Sequence, residues 1–363
     1  MQHKTLSLIL ALASGNALAA ASAFTDPVPE KADGVPLAYV GKDTKAATDL
    51  TLTYHPDGRK DDIYPDIGYL PAGSALHVLL VDETGNHLVK ATYGITGWTQ
   101  ARANPAAGDD NFPPLEDVKK DAYTLYYNPK LGEKQDKPYY IPDINGEVQT
   151  LAGLAPKDAP APMQYYRLLE TALKPDGARY TLECSDYELP VCRLAPADGT
   201  FPPAPEREMQ CTGDTIPGNG YLYSDSDSGD RYFRAREKWA LKDDVVLNIE
   251  QPYYYLGVDT TYKGRWHYDE DNDPESRAEP LKLTDRIGGD KTIAEIAPGD
   301  KISLILIQQR FVERDGETLE PEERILAWLL IKTADGKTGW VKIATMDEDN
   351  AFPDIPELHG FAG

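Results

Sequence analysis

The stretch LLIKTADGKTGWVKI, from Leu329 to Ile343, has an upstream counterpart in LVKATYGITGWTQ, from Leu88 to Gln100. Both stretches contain the ordered pattern Gly-x-Thr-Gly-Trp between apolar residues. In the second stretch Asp335-Gly336 is a favoured two-residue turn between antiparallel strands, because both turn positions take positive φ. Each stretch therefore predicts a β-hairpin that ends in a Gly-Trp pair.

A second pair of matching segments precedes the two hairpins. IGYLPAGSALHVLLV covers 67–81 and IAEIAPGDKISLILI covers 293–307, and each has a Pro-containing turn that ends in Gly. After the turn, apolar residues alternate with other residues, which is typical of half-buried strands. His77 falls between two of these apolar positions and is predicted on the exposed face of its strand.

A third match follows each Trp. GDDNFPPLED covers 108–117 and DEDNAFPDIPE covers 347–357, so both are acidic and then contain Asn and Phe-Pro. The second copy also has the charged insertion QQRFVERDGETLEPEER between its strands. Three matches in the same order indicate a duplicated unit with loops of different length.

The duplicated pattern resembles bacterial SH3-like (SH3b) domains, whose usual order is an opening strand, a Gly-ended turn, a strand and a hairpin that ends in DGKTGWV. PLKLTDRIGGDKTIAEIAPGDKISLILI followed by AWLLIKTADGKTGWVKI matches this order. TLTYHPDGRKDDIYPDIGYLPAGSALHVLLV with ATYGITGWTQ is similar, although Thr99 stands where the family usually has an apolar residue. The resemblance implies small five-stranded β-barrels that bind cell-wall peptides or glycans, or hold neighbouring domains.

We therefore predict a mainly β protein in which tandem SH3-like small β-barrels flank a Tyr-rich, loop-rich β middle region. The two β regions of the middle are either degenerate SH3-like copies or a Tyr-rich β insertion, with one short helix around Tyr165 to Leu173. The predicted boundaries are a signal peptide at 1–23, a linker at 24–48, a barrel at 49–118, a β region at 119–200, a Pro-rich linker at 201–218, a β region at 219–275, and a barrel with an acidic Phe-Pro tail at 276–363.

The hairpin register decides which face of the C-terminal barrel carries its Trp. With a two-residue turn, Ile331 pairs with Trp340, and both lie opposite a core face made of Trp328, Leu330, Val341 and Ile343. A Trp on the face away from the core is either a ligand platform or part of a seam between modules. We predict a ligand-binding surface at Trp98, Trp340, Tyr93 and Ile331. The alternative is that these rings fill seams between small barrels.

The N-terminus and the charge predict the compartment. The first residues contain Lys4, a short apolar stretch, and two small-residue cleavage patterns, at Ala17-Leu18-Ala19 and Ala21-Ser22-Ala23, which is typical of a cleaved secretory signal. No later stretch is long and apolar enough to span a membrane. The net charge of −23 excludes nucleic acid and anionic headgroups as partners. We predict a periplasmic or secreted protein.

Three cysteines, Cys184, Cys192 and Cys211, allow three pairings in an oxidising compartment. We favour Cys184–Cys192 across a short hairpin, and Cys192–Cys211 is the rival. Two acidic clusters do not match the EF-hand loop in the positions of Gly and the final Glu, so we predict no metal and no cofactor. The clusters consist of Asp225, Asp227 and Asp230, and of Asp269, Asp271 and Asp273.

The sequence predicts a non-enzymatic binding protein of the cell envelope that recognises cell-wall material or an envelope protein. No nucleophile, phosphate-loop or dinucleotide motif is present. The first alternative is an accessory of a cell-wall hydrolase with an unrecognised site in the middle region. The second is a secreted inhibitor or immunity-type protein whose acidic surface contacts a cationic partner, in which case binding should weaken steeply with salt.

Overall fold

The protein is mainly β, as predicted. Within the described residues the chain forms 24 strands and a single 3₁₀ turn at Thr92–Gly94. The computed structural model describes residues 22–58, 67–100, 112–120, 123–141, 163–185, 191–197, 208–226, 235–242, 245–250, 253–267, 278–311, 325–343, 351–353 and 355.

The N-terminal module, residues 37–100, contains the first Gly-Trp hairpin. Strands β1, β4, β5 and β6 form a four-stranded sheet in that order, and β2 pairs with β3. The β2–β3 hairpin joins β6, because Thr53 and Trp98 exchange two backbone hydrogen bonds of 2.8 and 2.9 Å. The strands are β1 Leu37–Lys45, β2 Leu50–Leu52, β3 Gly68–Leu70, β4 Ala75–Asp82, β5 Asn86–Ala91 and β6 Thr96–Gln100.

The middle region, residues 116–250, is a separate sheet. Strands β9 to β16 are each paired with their neighbour in the chain, and β8 adds in parallel to β13 while pairing with β7. Its strands are β7 Glu116–Lys120, β8 Tyr123–Tyr127, β9 Gly132–Ile141, β10 Met163–Ala172, β11 Arg179–Ser185, β12 Val191–Pro196, β13 Glu208–Ile216, β14 Tyr221–Ser226, β15 Ala235–Lys242 and β16 Val245–Glu250.

The C-terminal module, residues 253–343, repeats the strand order of the N-terminal module. The sheet runs β17-β21-β22-β23-β19-β20, which matches β1-β4-β5-β6-β2-β3 strand for strand, and β18 pairs with β24 outside it. Its strands are β17 Tyr253–Thr261, β18 Arg265–His267, β19 Leu281–Thr284, β20 Thr292–Ile296, β21 Lys301–Phe311, β22 Ile325–Thr333 and β23 Thr338–Ile343, followed by β24 Ala351–Pro353.

The same glycine-dependent bulge shapes the first strand of both modules. Gly41 and Gly257 have φ of +60° and +63°, and the pairing register shifts at both positions. The ring of the tyrosine two residues earlier folds over each glycine, so that an added Cβ would clash with the Tyr39 or Tyr255 hydroxyl oxygen. Positive φ and this close approach both require glycine.

The predicted register of the C-terminal hairpin is wrong by one residue. Ala334, Asp335 and Gly336 form a three-residue loop with Gly336 at φ +87°, and Thr333 N donates to Lys337 O over 2.8 Å. The extra loop residue pairs Leu330, rather than Ile331, with Trp340. A shift of one residue moves side chains to the other face. Leu329, Ile331 and Val341 therefore form the module core, and Leu330 shares the opposite face with Trp340 and Trp328.

The middle region differs from the sequence predictions in two respects. The segment predicted as a helix around Tyr165 to Leu173 lies largely in strand β10, where pairing with β9 and β11 outweighs local helix preference. Strands β9 to β16 form one meander, so the described middle strands do not repeat the strand order of the two end modules. Strands β10 and β11 form an antiparallel hairpin whose turn contains Asp176-Gly177.

Two module boundaries in the structure differ from the predicted ones. Strand β1 lies in the predicted linker at 24–48, and β17 in the predicted middle β region, yet each is the first strand of an end module. Residues 1–21 of the predicted signal lie outside the described residues. Ala23 and Phe24 are buried in the N-terminal core, and Ala23 O accepts a 2.8 Å hydrogen bond from Ala47 N. Cleavage after Ala19 would retain these contacts, and cleavage after Ala23 would remove some of them.

None of the sheets closes into a barrel within the described residues. The N-terminal and C-terminal modules each have one apolar core, and the middle region has a third around Leu169, Leu182 and Ile216. The middle sheet contacts the N-terminal module where the Tyr223 hydroxyl donates to Ile67 O over 2.6 Å. In the part of the chain that the structure covers, no helix has the length and apolarity needed to cross a membrane.

Buried His87 couples the fold of the N-terminal module to pH. Its side chain is 1 % exposed, and Nε2 lies 2.7 Å from the carbonyl oxygen of Pro29. Burial lowers the pKa of His87 below its ordinary value, against the smaller opposing effect of the Pro29 hydrogen bond. The folded protein therefore binds this proton at a lower pH than the unfolded chain does. Its stability contribution is complete above about pH 6.5 and is lost as the pH falls below that value.

We expect the substitution His87→Gln, which keeps a donor for Pro29 but does not titrate, to reduce the acid sensitivity of the fold. The free energy of unfolding should fall less between pH 7 and pH 5 in the variant than in the wild type. Urea unfolding at both pH values measures this difference. Equal losses in the two proteins would show that His87 does not contribute to the pH dependence.

Candidate functional site

The two end modules pack against each other through a shared apolar cluster, here called the seam. The two modules contribute equivalent side chains to this cluster. The seam therefore resembles a two-fold symmetric interface within one chain. Trp98 and Trp340 are 2 % and 1 % exposed. The matched pairs are Leu37 with Tyr253, Tyr39 with Tyr255, Leu79 with Ile305, Leu80 with Leu306, Leu88 with Leu330 and Trp98 with Trp340.

Two of the four residues that we predicted to bind a ligand, Trp98 and Trp340, lie in the seam. Trp98 packs edge-on against Tyr253, with ring centroids 5.8 Å apart, and neither tryptophan presents a ring face to a ligand. Ile331 is fully buried in the core of the C-terminal module, on the other face of its strand. Tyr93 is half-buried and lies 4.9 Å from the ring of Tyr126 in the middle region. These four residues do not form one open surface.

The other predicted sites are only partly covered by the described residues. Cys184 and Cys192 pair directly across strands β11 and β12 in the backbone register, which is where a cross-strand disulfide would require them. No disulfide is found among the side chains that are described, and the side chains of these two cysteines lie outside that set. The predicted pairing therefore stays a prediction. The carboxylates of the two acidic clusters likewise lie outside the described residues.

At the edge of the seam, each module places a lysine over a tyrosine of the other module. Lys90 Nζ lies 4.9 Å from the centroid of the Tyr255 ring, and Lys332 Nζ lies 6.0 Å from that of Tyr39. Burial raises the pKa of both tyrosines, and the Asp43 carboxylate raises both further. Both hydroxyls therefore remain protonated and can donate hydrogen bonds at neutral pH.

A surface groove of about 730 Å³ begins beside this cluster in the N-terminal module. Within the groove, His77 Nδ1 on β4 donates to Asp43 Oδ1 on the neighbouring strand β1 over 2.6 Å, and the His77 ring lies 5.7 Å from the Tyr255 ring. His77 is thus half-buried and paired, rather than on an open sheet surface as predicted. The lining residues are Thr25, Asp26, Asp43, Thr44, Lys45, Ala75, Leu76, His77, Lys90, Ala91 and Thr92.

The C-terminal module has the corresponding groove, of about 440 Å³. Each of its lining residues is the counterpart of a lining residue of the first groove in the matching strands. Asp259 Oδ1 accepts a 2.6 Å hydrogen bond from Ser303 Oγ, in the place where Asp43 pairs with His77. The second groove is lined by Asp259, Thr260, Thr261, Lys301, Ile302, Ser303 and Ala334.

Both grooves balance their charges, although the chain as a whole is strongly acidic. The first groove has two carboxylates, from Asp26 and Asp43, and two ammonium groups, from Lys45 and Lys90. The second has one of each, from Asp259 and Lys301. Threonine hydroxyls complete both linings. Such a surface offers donors and acceptors without a net field, which suits an uncharged, hydrogen-bonding ligand.

The sequence contains a signal for these grooves that the hairpin comparison does not reveal. YVGKDT at 39–44 and YLGVDT at 255–260 share Tyr-x-Gly-x-Asp-Thr, and this segment supplies the bulge, the seam tyrosine and the groove carboxylate of each module. No group of His, Cys, Asp and Glu suited to a metal ion occurs among the described residues. No family model, curated protein or solved structure matches the chain.

Proposed function

We propose that this chain is an exported, non-enzymatic binding protein of the cell envelope that holds cell-wall glycan in the grooves beside the seam. The observation that carries the proposal is the occurrence of the same charge-balanced, hydroxyl-lined groove in two modules. The strand order and the Gly-Trp hairpins support the resemblance of these modules to SH3-like domains, whereas the open sheets argue against closed barrels.

The chemistry of the grooves favours glycan over an envelope protein. Stable protein interfaces contain an apolar core that excludes water. Each groove combines carboxylate, ammonium and threonine hydroxyl groups with a few apolar side chains, and the apolar face that contains Trp98 and Trp340 is already covered in the seam. A glycan presents many hydroxyl groups that can pair with these donors and acceptors. The acidic surface supports neutral or cationic glycans and disfavours polyanions.

We expect the purified protein to sediment with isolated peptidoglycan sacculi. The double variant Asp43→Ala/Asp259→Ala should lose at least about tenfold in bound fraction, because each substitution removes a charged hydrogen-bond partner from one groove. Both carboxylates are exposed, so the fold should be retained. The matched control Asp33→Ala/Asp290→Ala removes the same charge from exposed positions outside the grooves and should bind like the wild type.

Three results would contradict the proposal. If the wild-type protein fails to sediment with sacculi, the chain does not bind this glycan. If it binds only sacculi that retain their attached proteins, and not protease-treated sacculi, the partner is an envelope protein. Equal loss of binding in the control variant would indicate a general charge effect rather than binding in the grooves.

A further inference from the structure

We infer that the chain is bivalent: its two grooves are equivalent sites for the same uncharged, N-acetylated sugar chain, and together they bridge two ligand segments. This inference rests on the proposed function and adds the ligand class and the number of sites. Its basis is the residue-by-residue correspondence of the two grooves, which occur on the same strands of two modules with the same strand order.

Both grooves keep an aspartate, the threonine after it and an aliphatic residue at matching positions. Asp43 and Thr44 correspond to Asp259 and Thr260, and Leu76 corresponds to Ile302 beneath them. Each groove also has one lysine at its strand end. Lys45 pairs with Ala75 across the first strand pair, and Lys301 pairs with Thr261 across the second, so the ammonium group is kept although it moves to the partner strand.

The retained groups define the ligand class. A carboxylate accepts hydrogen bonds from sugar hydroxyls or from an amide N–H, and a lysine or threonine donates to an amide carbonyl. An N-acetylated sugar offers all of these groups without charge, which matches the balanced charges of both grooves. An anionic sugar would be repelled by the overall charge of −23. A cationic sugar would gain no specific attraction from a groove whose charges balance.

The seam holds the two grooves on one body. Side chains from both modules are buried together in the seam. A tyrosine–lysine contact between the two modules lies near each groove. Once one groove is occupied, binding at the other becomes intramolecular, which raises the apparent affinity for a polymer by roughly 10²–10⁴ without any new contact. A soluble oligosaccharide that fills a single groove does not gain this advantage.

The test uses calorimetric titration of the full chain with a tetramer of N-acetylglucosamine. We expect two tetramers bound per wild-type chain, one in Asp43→Ala, one in Asp259→Ala, and none in the double variant, whereas Asp33→Ala/Asp290→Ala keeps two. Retention on insoluble chitin should fall at least about tenfold in each single variant, because the bivalent gain is lost. The chemically deacetylated, cationic tetramer should bind at least about tenfold more weakly than the acetylated one.

Several outcomes would overturn the inference, and they can be distinguished from failure of the proposed function. Sedimentation with sacculi together with one bound tetramer per chain would leave envelope binding intact but refute bivalency. Equal chitin retention in wild type and single variants would do the same. Preferential binding of the deacetylated tetramer would show that the acidic surface, and not the grooves, selects the ligand. Absence of binding to both sacculi and tetramer would refute both proposals.

Discussion

Replacing Trp340 by Ala should destabilise the protein by about 3–5 kcal/mol, the range typical of removing a buried large aromatic side chain. The indole is 1 % exposed and lies in the seam with Leu330, Ile305 and Leu306, so its loss leaves a cavity between the two modules. Thermal unfolding followed by calorimetry should show a lower midpoint, because the seam stabilises both modules. Trp340→Phe, which keeps part of the volume, should lose less.

The same variant separates the two interpretations of the Gly-Trp pair. An open ligand platform predicts lower affinity at an unchanged melting temperature, whereas the seam predicts a large loss of stability. Lys282→Ala on the neighbouring strand β19 changes an exposed side chain and serves as the control, with an expected effect within about 0.5 kcal/mol. An unchanged melting temperature for Trp340→Ala would show that the indole does not hold the modules together.

Gly339→Ala should destabilise the C-terminal module by about 1–3 kcal/mol through overpacking. The backbone at Gly339 is not in the left-handed region, so the conformation itself accepts alanine. The surrounding space does not accept alanine, because an added Cβ would lie 2.8 Å from the Leu283 Cβ and 2.9 Å from the Thr284 carbonyl oxygen. These atoms belong to or adjoin the backbone of β19, so they can move only if the contact between β19 and β23 opens.

The equivalent glycine in the other module provides an internal comparison. A Cβ at Gly97 would lie 2.8 Å from the Leu52 Cβ, so Gly97→Ala should cost a similar amount. Thr338→Ala, next to Gly339 and only half-buried, is the control for disturbing strand β23 and should cost less. Chemical denaturation of the three variants and the wild type measures the differences. A neutral Gly339→Ala would mean that strands β19 and β23 do not approach as closely as described.

The two glycines also explain why the same sequence pattern occurs at both ends of the chain. The glycine lets the opening hairpin of each module, β2–β3 or β19–β20, pack directly against the last strand, while the tryptophan beside it points into the seam. Thr53 Oγ1 and Thr284 Oγ1 each bond the carbonyl oxygen of the tryptophan opposite them, over 3.3 and 3.1 Å. The glycine therefore allows close packing within its own module, and the tryptophan that follows it packs against the other module.

Local patterns in the sequence were sufficient for the β class, the duplication and the positions of most turns. Apolar alternation after Gly73 and Gly299 and the glycine-ended turns depend on neighbours in the chain, and the structure has strands and turns at those places. The hairpin register was not predictable in the same way, because two-residue and three-residue loops both suit Asp335-Gly336. Because the loop has three residues rather than two, Leu330 and not Ile331 pairs with Trp340.

By itself, the sequence determined which segments form strands and that one unit occurs twice, since strand period and turn chemistry are properties of short stretches. Only the tertiary structure decided that β1 and β17 belong to the end modules, that Trp98 and Trp340 are buried against each other's module, and that two matching grooves remain open beside them. The reason is physical: an apolar strand face must be buried, but its period does not specify which distant surface will cover it.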